Sequence, residues 1–344
     1  MRIVTIGDRQ VGDGQPVFII AEIGYNFNTL EEAKASIDAA VDCGVDAVKF
    51  QTFKAETIVS RHSDFPVEAG DTNQFDEFKQ YEVSEAAHQE LFGYARKQGV
   101  IVFSTPSYFD DVDLLERLDV PVHKIGSDDL TNLPFLQYVA KKGKAVIFST
   151  GMGTLAEVSE ALDTITATGN NQVIMLHCVS NYPVKDLSIL NLNVIRTLRR
   201  AFPIPIGFSD HTMTLTAALG AVALGANVIE HHFTIDKNLS VPDAFFSADP
   251  AEMKSLVQAI RELELALGDG EKQPALTARG MRMETRKSVI ARIDIQAGAT
   301  ISPDMIIVKR PGTGVPPKLS HLVLGRRANQ SIQADEVITW DKLG

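Results

Sequence analysis

Three residue pairs, each two positions apart, set the chemistry open to this chain: Lys49 with Gln51, Ser209 with His211, and Glu230 with His232. Each pair ends a short apolar run, and a spacing of two on a strand puts both side chains on one face. Other polar residues end similar runs: Glu22; Ser104 and Thr105; Lys124 and Ser127; Ser149 and Thr150; His177 and Ser180. His211 and His232 on neighbouring strand ends, about 5 Å apart, can share a divalent ion. With two protein ligands, an ion such as Mn²⁺ (or Mg²⁺ or Co²⁺) keeps open positions for water and substrate oxygens. Two ordinary hydrogen-bonded histidines are the competing reading. Lys49, Lys124, Thr105, Ser127, Ser149, Ser180 and Ser209 form a basic, hydroxylic set, the composition that balances and orients a phosphate. A strand lysine could instead form an imine with a keto acid, as barrel aldolases do. Glu22, expected across the ring from the histidines, is a candidate general acid or base, or else a structural partner of Lys49. By the same parity Asp210 and His231 face the helix layer, in packing or supporting roles.

Such a set needs a scaffold that gathers many strand ends. Eight strand candidates recur, at 17–24, 45–51, 100–105, 121–127, 144–150, 172–178, 204–210 and 226–232, with helical stretches between them. Helices such as 30–44, 84–99, 155–169 and 252–268 close on glycine, a helix stop signal. Alternation of this kind implies parallel pairing, and eight units predict an α/β (β/α)8 TIM barrel over residues 1–268. Polar residues at the C-terminal strand ends of such a barrel read as catalytic. Residues 1–16 predict a hairpin capping the opposite end. The polar segment 52–83 is too long for an ordinary connection and is expected to cover the site or select substrate. Residues 269–284 read as a charged linker, and 285–344 as a small β-rich domain.

Composition sets limits. Among 344 residues, 33 Lys and Arg face 44 Asp and Glu, a net charge of −11 that argues against nucleic-acid or anionic-membrane partners. Cys43 and Cys178 are too few for a disulfide framework or thiolate cluster and read as buried free thiols. The first residues carry charges and no apolar h-region, so no signal peptide is expected and the compartment is read as cytoplasmic. The longest uncharged run, 212–229, is interrupted by Thr, Asn and Gly and reads as a buried helix entering a strand, not a membrane span.

The motifs IAEIG at 20–24, KFQT at 49–52, STP at 104–106, KIGS at 124–127, STGM at 149–152, LHC at 176–178, FSDH at 208–211 and EHHFT at 230–234 stand in one order. Together with VKRPGTG at 308–314, they resemble the sialic acid synthase family with its C-terminal antifreeze-like (SAF) domain. The resemblance implies condensation of phosphoenolpyruvate with an N-acylated mannosamine-type sugar to a nine-carbon 2-keto (nonulosonic) acid and phosphate. It further implies that Lys49, Thr105, Lys124, Ser127, Ser149, Ser209 and Ser180 hold the enolpyruvate, and that His211 and His232 hold the metal. Glu22 would handle protons; Gln51, Asp129, Tyr182, Asp243 and Arg310 would contact the sugar. Departures fall mainly on the sugar side: Asn26-Phe27-Asn28-Thr29 replaces Asn-His-x-Gly, VPDAFFS spans Asp243, Asp129 replaces Glu, and Ser180 replaces Asn. N-acetylmannosamine and a diacetamido-trideoxy mannose both remain candidate sugars. Arg310 precedes a Pro/Gly turn, so the tail is expected to reach the site of a second subunit in a domain-swapped homodimer. A pyruvate aldolase using a lysine imine, and a non-enzymatic carbohydrate- or ice-binding protein, are the rival classes.

Overall fold

A computed structural model describes residues 3–64 and 73–344, and the chain divides into two units, Met1–Gly268 and Asp269–Gly344. In the first, β1 (Ile3–Ile6) and β2 (Arg9–Gly12) form an antiparallel hairpin. Eight parallel strands follow: β3 (Phe18–Gly24), β4 (Ala47–Thr52), β5 (Ile101–Pro106), β6 (Val122–Ile125), β7 (Ala145–Ser149), β8 (Val173–Cys178), β9 (Ile206–Asp210) and β10 (Val228–His232). Their order is β5-β4-β3-β10-β9-β8-β7-β6, and β5 lies beside β6, which closes the ring. The expected eight-stranded barrel is borne out. Strands buried on both faces explain the near-continuous apolar runs; every residue of β3 is buried.

Helices α1 (Leu30–Cys43), α2 (Ala55–Ile58), α3 (Gln74–Gln80), α4 (Glu85–Lys97), α5 (Phe109–Arg117), α6 (Leu133–Ala140), α7 (Leu155–Thr166), α8 (Asn193–Ala201), α9 (Leu215–Ala223) and α10 (Pro250–Leu267) alternate with them. Their ends follow local chemistry. Thr154 with Glu157, and Asp249 with Glu252, form reciprocal capping boxes at α7 and α10, each N-cap contributing about 1 kcal/mol. Apolar stripes then dock the helices: α1 buries Ala33, Ile37 and Ala40 and packs between α10 and α4.

The hairpin sits at the N-terminal strand ends, where Asn227 just ahead of β10 donates to Asp13, and Thr5 N–H donates to Gln172 ahead of β8. A cleft of about 890 Å³ lies on this side, but its charges are already paired: Arg9 and Arg261 with Asp46, and Arg199 with Asp13. It closes the barrel floor and offers no free group for chemistry.

In the second unit, the segment read as a linker carries helix α11 (Ala278–Thr285) and belongs to that unit. Its methionines, Met281 and Met283, are exposed, so no buried apolar stripe marks the helix within the charged composition. Strands β11 (Ser288–Ala291) and β12 (Ile306–Lys309) pair antiparallel, and isolated bridges such as Ile295 to Ile332 extend the β character. Val289, Ile301, Val315, Val323 and Ile338 make its own small core. No helix among the described residues is long and apolar enough to cross a membrane.

Candidate active site

A cavity of about 750 Å³ opens among the C-terminal ends of the barrel strands. Strand parity aims the pairs into it as expected: Lys49 and Gln51 from β4, Ser209 and His211 from β9, Glu230 and His232 from β10 all line it. Asp210 and His231 do not. His231 Nδ1 meets the Asp210 carbonyl at 3.0 Å, and the Asp210 carboxylate accepts from Thr212 N–H at 2.9 Å.

One end of the cavity is a buried charge cluster. Lys49 Nζ lies 2.6 Å from Glu22 Oε2 and donates to Thr105 Oγ1 at 3.0 Å. Lys124 Nζ donates to Ser149 Oγ at 2.7 Å. Glu230, which the sequence placed at a strand end without a role, sits between the lysines, 3.9 Å from Lys49 and 3.6 Å from Lys124, and accepts from Ser209 at 2.8 Å. Its parity with His232 was the available signal. Ser127 Oγ accepts from Gly151 N–H at 3.0 Å, and Ser180 Oγ is buried with no partner. A Cβ on Gly151 would come within 2.2 Å of Ser180 Oγ and 2.7 Å of Ser127 Oγ, so the backbone there must be bare for these hydroxyls to converge.

Glu22 is positioned by the ring closure. The expectation that it lies across from the histidines is overturned: the first barrel strand neighbours the eighth, and Glu22 is the register partner of His232. Gln51 donates to Glu22 Oε1 at 3.0 Å, and a Cβ on Gly24 (φ +59°) would press to 3.2 Å from that same oxygen. Burial, with Glu230 adding, holds the Glu22 carboxyl above its ordinary range while Lys49 opposes. Burial pulls the Lys124 ammonium down, with Lys49 reinforcing. Burial also favours neutral Glu230, but the two lysines overcome it and leave its carboxyl below the usual range.

The His211 and His232 ring centroids are 5.3 Å apart. His211 uses Nδ1 against the Val179 carbonyl at 3.0 Å, which leaves Nε2 for a ligand. Burial and His211 keep His232 neutral, and its Nδ1 has no hydrogen-bond partner, with the Asp243 carboxylate 3.5 Å off. Burial, with Glu22 adding, raises Asp243 to about 7. An orphaned imidazole nitrogen beside the Nε2 of a second imidazole fits a divalent ion whose other positions would be filled by substrate or water. Among the described residues no third His, Cys, Asp or Glu completes the set.

Several expectations shift. Asp129 does not line the cavity: the 3₁₀ turn over 127–129 turns it to accept from Asn132 at 2.9 Å and puts Asp128 on the wall. His177 points away, its Nε2 against the Leu190 carbonyl at 2.8 Å, and Cys178 takes the wall position, 4.0 Å from His211. Ser104 likewise turns outward to Thr52 at 2.6 Å. Tyr182 and Asp243 line the cavity as expected. Arg310 belongs to the second unit, exposed just after β12. Tyr25, Ile58, Gln74, Glu77, Phe78 and Tyr81 were missed. Most come from the long segment after β4, whose length alone hinted at them; its residues 65–72 lie outside the described ones.

The chain matches the NeuB family over residues 36–272 and the SAF domain over 286–344. It belongs to the NeuB family. The resemblance read from its motifs is therefore borne out. This NeuB-family chain is 39% identical to the N,N'-diacetyllegionaminic acid synthase of Legionella pneumophila over 98% of its own length and 97% of that protein. It is 35% identical to the N-acetylneuraminate-9-phosphate synthase of Mus musculus, over 96% and 93% respectively. The structure of the N-acetylneuraminic acid synthetase of Leptospira borgpetersenii, solved with citrate, superposes with a TM-score of 0.75 at 32% identity, covering 81% of this chain and 95% of that one.

Proposed function

We propose that this chain condenses phosphoenolpyruvate with an N-acylated mannosamine-type sugar, giving a nine-carbon 2-keto acid and phosphate. The observation that carries this reading is one cavity lined both by two lysines with Ser and Thr hydroxyls and by a pair of histidines. Lys49, Lys124, Thr105, Ser127, Ser149, Ser180 and Ser209 bind the phosphate and carboxylate of the enolpyruvate; the unpartnered Ser180 hydroxyl gains an acceptor there. His211 and His232 would hold a divalent ion such as Mn²⁺, which when bound would polarise the sugar aldehyde. The enol methylene attacks the aldehyde carbon and forms the C–C bond. Water adds to the oxocarbenium at the phosphate-bearing carbon, and the C–O bond breaks with the electron pair leaving on phosphate. Glu22 moves the proton this requires, and Lys124 and Lys49 stabilise the departing anion in a water-poor site.

A buried lysine whose ammonium is disfavoured is also what an imine-forming aldolase needs. The two chemistries separate in one experiment. Incubation with phosphoenolpyruvate labelled with ¹⁸O at its bridging oxygen, plus a panel of acylated hexosamines, should release labelled phosphate. Borohydride with pyruvate should leave no adduct on Lys124 or Lys49. Unlabelled phosphate, or an adduct, would sink this reading.

The rim supports a proposal about assembly. Met152, Tyr182, Met213 and Phe245, from the loops after β7, β8, β9 and β10, are each more than half exposed, an apolar collar that a lid would cover. The tail of a second copy is the lid we propose, with Arg310 reaching the sugar's acyl carbonyl. Mixing Arg310→Ala subunits with His232→Ala subunits should then recover activity from two nearly inactive homodimers, because one of the two sites inherits neither defect. No recovery after verified subunit exchange means the tail does not act across subunits.

A further inference from the structure

The loop that carries Asp243 leaves β10 after His232 and then returns to it. On the way out Phe233 N–H donates to the Glu22 carbonyl at 2.8 Å, and on the way back Ala248 N–H donates to the His232 carbonyl at 2.8 Å. The backbone between these points is neither helix nor strand. Its Asp243 carboxylate nevertheless stands on the cavity wall, 3.5 Å from His232.

Asn26, a buried residue just past the end of β3, crosses both limbs of that loop. Its Nδ2 donates to the Phe233 carbonyl at 3.1 Å and to Ser247 Oγ at 3.0 Å. The Ser247 hydroxyl donates its one hydrogen to the Asp243 carbonyl at 2.7 Å, and Ser247 N–H reaches the same oxygen at 3.2 Å. Both ends of this chain fix its direction. A carbonyl can only accept, so Asn26 must present its amide nitrogen, and Ser247 must accept from it while donating onward. Asn26 Oδ1 has no partner, so every hydrogen bond of this side chain goes to the loop. Ser247 is fully buried, where a hydroxyl left unpaired is costly.

We infer that Asn26 and Ser247 are positioning residues for the sugar end of the site: acting through the Asp243 carbonyl, they set where the Asp243 carboxyl meets the sugar. The inference rests on the synthase reading above and deepens it. Neither Asn26 nor Ser247 lines the cavity, so an effect on the sugar has to pass through Asp243. β3 also carries Glu22, so the brace ties Asp243 to the strand that holds the proton-handling group. Small displacements matter here, because a shift of about 1 Å in an orienting group can cost roughly a hundredfold in rate.

Two variants test the brace by phosphate release from phosphoenolpyruvate and an acylated mannosamine-type sugar. Ser247→Ala removes the relay and little volume. Asn26→Asp reverses the polarity, drawing the Ser247 hydrogen away from the Asp243 carbonyl, and serves alone if Ser247→Ala fails to fold. Each should raise KM for the sugar by about tenfold, the effect of one buried hydrogen bond, and leave KM for phosphoenolpyruvate within about twofold. The decisive comparison adds Ser247→Ala, or Asn26→Asp, to Asp243→Ala. If the brace acts through the Asp243 carboxyl, its loss costs nothing further once that carboxyl is gone, whereas independent defects multiply. Where Asp243→Ala is too slow to assay, the split between the two KM values decides. Multiplying defects, or an equal rise in both KM values, overturns the brace and leaves the synthase reading standing. Wild type that releases no phosphate with any sugar of the panel overturns both.

Discussion

Removing the metal should abolish turnover, and Mn²⁺ should restore it. The aldehyde must be polarised by something, and the histidine end of the cavity offers two candidates, an ion on the histidine pair and the carboxyl of Asp243; we assign the role to the ion. His232 is held neutral by burial and by His211, and Asp243 is pushed up to about 7, with Glu22 the largest charged contributor. A Lewis acid supplies several kcal/mol of stabilisation to developing negative charge, and each 1.36 kcal/mol is tenfold in rate, so a loss of about 10³-fold or more is expected. His232→Ala should show the same loss while retaining its circular dichroism spectrum. A second readout needs no substrate: Mn²⁺ should raise the melting temperature of wild type, since an ion that binds only the folded state stabilises it, and should not do so for His232→Ala. Full activity in metal-free protein would end the proposal.

Glu22→Gln carries the second large effect. Glutamine keeps the shape and the partnership with Gln51, and removes both the negative charge and the proton-transfer capacity. General acid–base catalysis contributes about 10²–10⁴-fold, so kcat should fall by that factor. The rival role is purely structural, since Glu22 pairs with Lys49 at 2.6 Å. The two roles predict different kinetics. A structural Glu22 would release Lys49 and weaken phosphoenolpyruvate binding, raising KM. A proton-handling Glu22 leaves binding largely intact, because Thr105 still orients Lys49 at 3.0 Å and Glu230 still faces it. A variant within threefold of wild type in kcat would show that Glu22 moves no proton in a limiting step.

Much of this was legible in the sequence because it depends on local periodicity. Eight apolar runs alternating with helical stretches imply parallel strands, and a period of two fixes which side chain of each strand faces inward. Lys49, Gln51, Ser209, His211 and His232 could be aimed at one cavity on that basis alone. Irregular backbone broke the rule. The 3₁₀ turn after β6 exchanged Asp128 for Asp129, which strand parity could not foresee because a turn of three residues has no period-two signature. The end of β8 does obey parity: Cys178 and Ser180, two positions apart, both line the cavity, and His177 turns away.

What only the tertiary structure decided is which distant groups share charge. Ring closure puts the first strand beside the last, which made Glu22 the neighbour of His232 and placed Glu230 between two lysines from other strands. No linear pattern encodes that meeting. The energetic weight of such a group is set by burial and by the charges around it, quantities that exist only once the barrel has closed. The brace at Asn26 belongs to the same class: Asn26 and Ser247 stand 221 positions apart in sequence, and only the closed ring brings them to 3.0 Å. The sequence therefore determined the barrel, its inward residues and the family; the fold decided their protonation, their partners and the shape of the space they enclose.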